Sequence, residues 1–154
     1  MSDANSIKAP VVTLDNQLCF ALYAASNTVG HHYQTLLKSY GLTYSQYLVL
    51  MALAEEDGIS ISALAKRLEL SKATMTPLLR RLEERGVLLR QVRKGNERQK
   101  LISLTNAGRQ LWEKSRDVSA EVFTLTKLSK VEANEVIRIC KKIVHTQGTV
   151  SASG

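Results

Sequence analysis

Two cysteines in 154 residues, Cys19 and Cys140, are too few for a disulfide framework, so each is a thiol to be judged separately. Long hydrophobic runs are missing too. The longest apolar stretches, Tyr47 to Ala54 among them, reach eight residues, far short of the roughly 20 a membrane helix needs. The first ten residues are mostly polar and hold no apolar targeting core. A cytoplasmic protein with no membrane partner is the expectation. No phosphate-binding loop, metalloprotease motif or nucleophile elbow occurs. His31, His32 and His145 show no ligand spacing with the cysteines, and adjacent histidines on a helix point about 100° apart. Neither metal nor other cofactor is expected, and no enzyme.

What is present is basic charge in one place. Residues 66–100 carry eleven basic side chains against four acidic ones, an excess that equals the whole formal net charge of +7. Outside that window the charges cancel. A localised excess of this kind favours a polyanion. The length is that of one domain, and 44% apolar residues are enough to build a core.

Apolar periodicity divides the chain. Leu14, Leu18, Leu22, Ala25, Val29 and Leu36 predict one long helix over residues 13–39, and such a helix needs a partner. After Gly41, Thr43 or Ser45 can cap a helix from Tyr44 to about Glu56. Ser60 can cap a short third helix, Ile61 to Leu68. Ser71 can then cap a fourth that ends at Gly86. Two short helices joined tightly are a helix-turn-helix.

The fourth helix has two faces. Met75, Leu78, Leu79 and Leu82 make an apolar stripe, while Ala73, Thr76, Pro77 and Arg80 lie opposite with Arg81 on the flank. Lys72 and Thr74 stand at its start. A small, hydroxyl-rich face edged with arginine suits a major groove. Pro77 leaves an alternative open, in which Thr76 is the N-cap and Pro77 the first helical residue.

After Gly86 the period changes to two along residues 87–93 and again along 99–104, around a polar turn at 94–98. This predicts a hairpin with a cationic tip, a wing whose Arg93, Lys94 and Arg98 can reach phosphates or a narrow minor groove. A fifth helix runs from Thr105 through Phe123. Ser129 and Glu132 have capping-box spacing and open a last helix to about Thr146. The fold class is mainly α with a small β-hairpin wing. A single domain over 13–146 holds a winged helix-turn-helix at about 44–104 between dimerisation helices at 13–40 and 105–146. Tails at 1–12 and 147–154 are expected to be flexible. A two-fold homodimer would present two recognition helices to double-stranded DNA.

This order of elements resembles the MarR family of bacterial transcription regulators. More narrowly, Leu14-Asp15-Asn16-Gln17-Leu18-Cys19-Phe20-Ala21-Leu22-Tyr23, Leu42-Thr43-Tyr44-Ser45-Gln46-Tyr47-Leu48, Thr74-Met75-Thr76-Pro77-Leu78-Leu79 and Glu97-Arg98-Gln99 resemble the organic-hydroperoxide sensors called OhrR. The resemblance implies a dimeric repressor that holds operator DNA while Cys19 is reduced and releases it when an organic hydroperoxide oxidises that thiol. It also implies that Tyr33 and Tyr44 hydrogen-bond the reactive sulfur. Cys19 and Tyr33 on one helix lie about 21 Å apart at 1.5 Å per residue, so a meeting requires the other subunit's tyrosine. Tyr23 can approach Cys19 within one helix.

Some relatives carry a resolving cysteine in the fifth helix, but residues 122–128 contain none. Cys140 is then an inert thiol or an unusual resolving partner, and a one-thiol or a two-thiol mechanism is open. Two other functions compete. One is a MarR-type regulator released by a small aromatic or anionic ligand, with Cys19 a bystander. The other is a thiol peroxidase using Cys19 and Cys140, which leaves the basic patch without a role.

Overall fold

The computed structural model describes residues 12–146; the expected tails at 1–11 and 147–154 lie outside the described residues. Among the described residues, seven α-helices and a three-stranded antiparallel sheet follow in the order α1 (Leu18–Leu37), α2 (Tyr44–Glu55), β1 (Ile59–Ser60), α3 (Ile61–Arg67), α4 (Lys72–Glu84), β2 (Leu88–Arg93), β3 (Asn96–Leu104), α5 (Asn106–Ser115), α6 (Val118–Thr126) and α7 (Lys130–Val144). The mainly helical class with a β-hairpin wing is what the periodicities predict.

Side-chain caps fix most helix starts. Thr43 and Gln46 form a full capping box on α2, with Gln46 N donating to Thr43 Oγ1 at 3.2 Å and Thr43 N donating to Gln46 Oε1 at 3.0 Å. Ser60, Ser71 and Thr105 accept from the third residue of α3, α4 and α5, and Ser129 with Glu132 closes a second box on α7. Gly86, at φ +74°, takes the left-handed conformation that ends α4. Glu69 does the same after α3 at φ +54°, which turns the chain sharply into α4.

Three expectations are corrected, and one open alternative is closed. The first helix does not run unbroken from residue 13: a 3-10 turn at Leu14–Asn16 precedes it, and extended Gln17 separates the two. Asp15 and Asn16 favour such local turns over a helix interior. The fourth helix is continuous through Pro77, so Thr76 is not its N-cap; its hydroxyl donates back to Lys72 O at 3.0 Å. The wing turn is tighter than a five-residue loop. β3 already begins at Asn96, with a bulge at Val92/Arg93, and its far edge pairs with the unexpected β1 through Ile59–Ile102 and Ser60–Leu101.

The fifth helix splits into α5 and α6, and the reason is a side chain in the ladder. The Tyr47 hydroxyl donates to Arg116 O at 2.9 Å and accepts from Ser119 N at 3.3 Å, taking two backbone groups that a continuous helix would bond to its own turns.

The core lies inside the winged unit and where α1, α2, α5 and α6 meet. Tyr47, Leu50, Leu53, Leu64, Met75, Leu79, Leu82 and Ile102 are fully enclosed. Asp57 joins the α2–β1 turn to the sheet and α5, accepting from Leu104 N at 3.0 Å and pairing with Arg109 at 2.6 Å. In contrast, α7 buries no residue within its own chain.

Candidate DNA interface and thiol site

The α4 stripe behaves as its spacing predicts: Met75, Leu79 and Leu82 are buried, and Lys72, Ala73, Thr74, Thr76, Pro77, Arg80 and Arg81 are exposed. Thr74 is held at the cap by a 2.9 Å hydrogen bond with Ser71 Oγ. Between α3, α4 and β3 lies an open groove of about 340 Å³, into which Lys72, Arg98 and Lys100 bring charge and Ser62 and Thr76 bring hydroxyls. Cations and hydroxyls around a groove this size suit a phosphodiester backbone. Lys100 and Ser62 are additions to the residues legible in sequence.

Not every cation of the basic window faces outward with its charge unspent. Arg90 Nε pairs with Glu83 at 2.7 Å and ties the wing to α4, and Arg67 pairs with Glu55. Arg85 donates to the carbonyls of Gly41 at 2.6 Å and Tyr40 at 3.3 Å, bracing the end of α4 against the α1–α2 joint. Arg93 donates to Gln99 Oε1 across the hairpin at 3.1 Å, and Asn96 Oδ1 accepts from Arg98 N at 3.3 Å. Lys94, Arg98 and Lys100 remain as exposed charges of the wing without an ion pair among the described residues.

Cys19 is exposed on the first turn of α1, with no hydrogen-bond partner among the described residues. Tyr23 is one turn further along the same helix and 65% exposed. Tyr33 and Tyr44 are brought together, their rings stacked at 4.1 Å, but at the far end of α1 from Cys19. Tyr33 is buried and donates to Ser119 Oγ at 3.3 Å. Tyr44 keeps an open edge, 38% exposed; burial, then the neighbouring Tyr33 and Tyr47, push its phenol above the usual tyrosine value, so it holds its proton near neutral pH. Cys140 is half-buried on α7. Among the described residues no cluster of three His, Cys, Asp or Glu side chains could hold a metal ion, and no helix is long and apolar enough to cross a membrane.

The MarR family model matches residues 42–100, from the start of α2 to β3. Over 116 residues the chain is 40% identical to the organic hydroperoxide resistance transcriptional regulator of Bacillus subtilis (strain 168), covering 75% of this chain and 79% of that protein. The chain belongs to the MarR family. It is a MarR-family DNA-binding transcription regulator, and the match to the HTH-type transcriptional regulator TtmR of Methylorubrum extorquens (strain PA1) agrees, at 50% identity over 99 residues. That match covers 64% of this chain but only 51% of TtmR, about half that relative's length. Among solved structures, reduced AbfR bound to DNA is similar at 34% identity and a TM-score of 0.74, covering 89% of this chain and 94% of that one. Overoxidized AbfR bound to DNA is similar at 35% and 0.71, covering 86% and 93%. As in the rest of this MarR-type chain, the residues that sequence reasoning missed are those whose partners are distant in sequence. Tyr47 read as part of an apolar run and Ser119 as a helix residue, yet they join at 2.8 Å beneath Tyr33.

Proposed function

We propose that the chain is a homodimeric repressor that binds double-stranded operator DNA while Cys19 is reduced and lets go when an organic hydroperoxide oxidises it. The observation that carries this reading is an exposed Cys19, without a hydrogen-bond partner among the described residues, at one end of α1 and a tyrosine pair at the other. Fourteen residues of helix, about 21 Å, separate Cys19 from Tyr33, so only a second, oppositely running copy of α1 can bring the two ends together. Apolar side chains left exposed at both termini support that copy: Leu14, Leu18 and Leu22 on one side, Val136, Ile137 and Ile143 on the other. Likeness to a hydroperoxide-resistance regulator and to AbfR, solved in reduced and overoxidized states, supports the thiol chemistry.

The reaction needs no cofactor. A Cys19 thiolate attacks the terminal peroxide oxygen, the S–O bond forms as the O–O bond breaks, and the alkoxide takes a proton from solvent to leave as the alcohol. The sulfur is left as a sulfenic acid. In this reading Tyr44, protonated and partly open, donates to the sulfur of the other subunit, with Tyr33 beside it and Tyr23 one turn from Cys19 on its own helix. Lys72, Thr74, Thr76, Pro77, Arg80 and Arg81 meet the major groove, while Arg93, Lys94 and Arg98 reach the flanking backbone. The cytoplasm is where such a regulator meets its operator.

A gel-shift titration on the DNA flanking the protein's own gene tests this, with reductant, with cumene hydroperoxide, and with Cys19→Ser and Cys140→Ser. Release by peroxide that disappears in Cys19→Ser, with basal affinity within about twofold, is the expected result. Continued response in Cys140→Ser assigns a one-thiol mechanism; its loss makes Cys140 the resolving thiol. Binding indifferent to peroxide sinks the reading. It would favour release by a small aromatic ligand, for which the mostly apolar groove of about 460 Å³ between α1 and α6, near Val136, has room.

A further inference from the structure

Ser119 sits where three elements meet, and its proton bookkeeping has one solution. The Tyr47 hydroxyl donates to Arg116 O at 2.9 Å, so its only proton is used. The 2.8 Å hydrogen bond between Tyr47 and Ser119 must then be donated by Ser119. Ser119 Oγ, its own proton spent, is left as the acceptor for Tyr33 O–H at 3.3 Å. The chain of donation runs Tyr33 to Ser119 to Tyr47 to the Arg116 carbonyl. Its inner links are near the usual length for hydroxyl bonds; the Tyr33 link is the long, weak one.

We propose that Ser119 is a positioning residue for the thiol site, its Oγ competing with the Cys19 sulfur of the partner subunit for the single phenolic proton of Tyr33. This rests on the sensor reading above. A bond to a charged acceptor is roughly twice as strong as one between neutral groups, so a thiolate draws the proton away from the weak link. Oxidation to a neutral sulfenic acid removes that charge, and the proton returns to Ser119. The groups facing this chain are Tyr33 and Tyr44, Tyr47 beneath them, and Asp117 at the start of α6, which acts on Tyr47. The chain ends on Arg116, at the joint between α5 and α6, so the state of the sulfur is reported to the element that Tyr47 interrupts. Ser119 thereby tempers the reactivity of the reduced sensor.

The test is the pH profile of Cys19 oxidation by cumene hydroperoxide in the full-length protein, read by loss of free thiol, beside operator affinity. Ser119→Ala removes the competitor, so the profile midpoint should fall by about one pH unit, with several-fold faster oxidation below it and unchanged affinity for DNA when reduced. Ser119→Thr, which keeps the hydroxyl, should behave as the parent. Tyr33→Phe removes the contested proton, so adding Ser119→Ala to it should change nothing further. If Ser119→Ala does not fold, Tyr47→Phe weakens the same acceptor from behind and should shift the midpoint the same way. An unchanged or raised midpoint, or a shift that persists without the Tyr33 hydroxyl, overturns the role of Ser119 while peroxide still oxidises Cys19. A parent protein whose Cys19 does not react overturns the sensor reading itself.

Discussion

At the scale of single residues, the tyrosines and one glycine show how a position acquires meaning from what is laid against it. Tyr44 and Tyr47 are both pushed above the usual tyrosine value of 10.0, chiefly by burial. Their neutral form is the one the fold favours, so the stability they contribute is complete below pH 10 and is lost as the pH rises past it. Urea midpoints should therefore hold flat from about pH 8 to 9.5 and decline above about 10, and Tyr47→Phe should flatten part of that decline. By helix propensity alone, alanine in place of Gly108 would improve α5 by about 0.5–1 kcal/mol. In the fold a Cβ there would stand 2.1 Å from Val87 O and 3.2 Å from Leu104 Cδ2. Gly108→Ala should instead cost about 2–3 kcal/mol in urea unfolding, because Val87 O also accepts from Thr105 N at 3.1 Å and cannot withdraw without losing that bond.

Among elements, the winged unit was the most legible part, because its signals are local. Caps at Thr43, Ser60 and Ser71, the α4 stripe and the switch to period two each concern residues within one turn or one hairpin. The basic window was less legible in detail. A count of charges cannot tell Arg90, paired with Glu83, or Arg85, bound to two carbonyls, from Lys94 and Lys100. The distinction has a measurable consequence. Lys94→Ala or Lys100→Ala should make the salt slope of operator binding shallower by about one for each phosphate the side chain neutralises, hence about two for a dimer. Arg90→Ala should leave the slope nearly unchanged and show itself in the stability of the wing. Filter binding across about 50–200 mM salt reads the slopes directly.

For the whole molecule, the exposed apolar faces of the terminal helices set the expectation. α7 carries Val131, Val136, Ile137, Ile139, Ile143 and Val144 exposed and has no buried residue of its own, an arrangement that is costly for an isolated chain in water. Ile137→Glu combined with Ile143→Glu should halve the molar mass measured by light scattering and weaken operator binding at least about a hundredfold, since one winged unit grips only a half-site. A double variant that stays dimeric would place the interface elsewhere, away from α7.

The sequence by itself determined what is written in short-range pattern: the helix caps, the amphipathic stripe of α4, the hairpin, the concentration of positive charge and the chain's resemblance to MarR regulators. Such features depend on neighbours three or four residues away, or on composition, and so survive without a fold. Only the tertiary structure decided where the fifth helix breaks, which arginines are spent on internal carbonyls and carboxylates, and that Tyr33, Tyr47 and Ser119 form one chain of hydroxyls. The helix break, the Arg85 contacts and the hydroxyl chain hang on groups separated by 44 to 86 positions, from Arg85 and Gly41 to Tyr33 and Ser119, and even Arg90 and Glu83, closer in sequence, stand on different elements. Hydrogen bonds are short and directional, so which distant groups come within about 3 Å of each other is settled by packing, not by pattern.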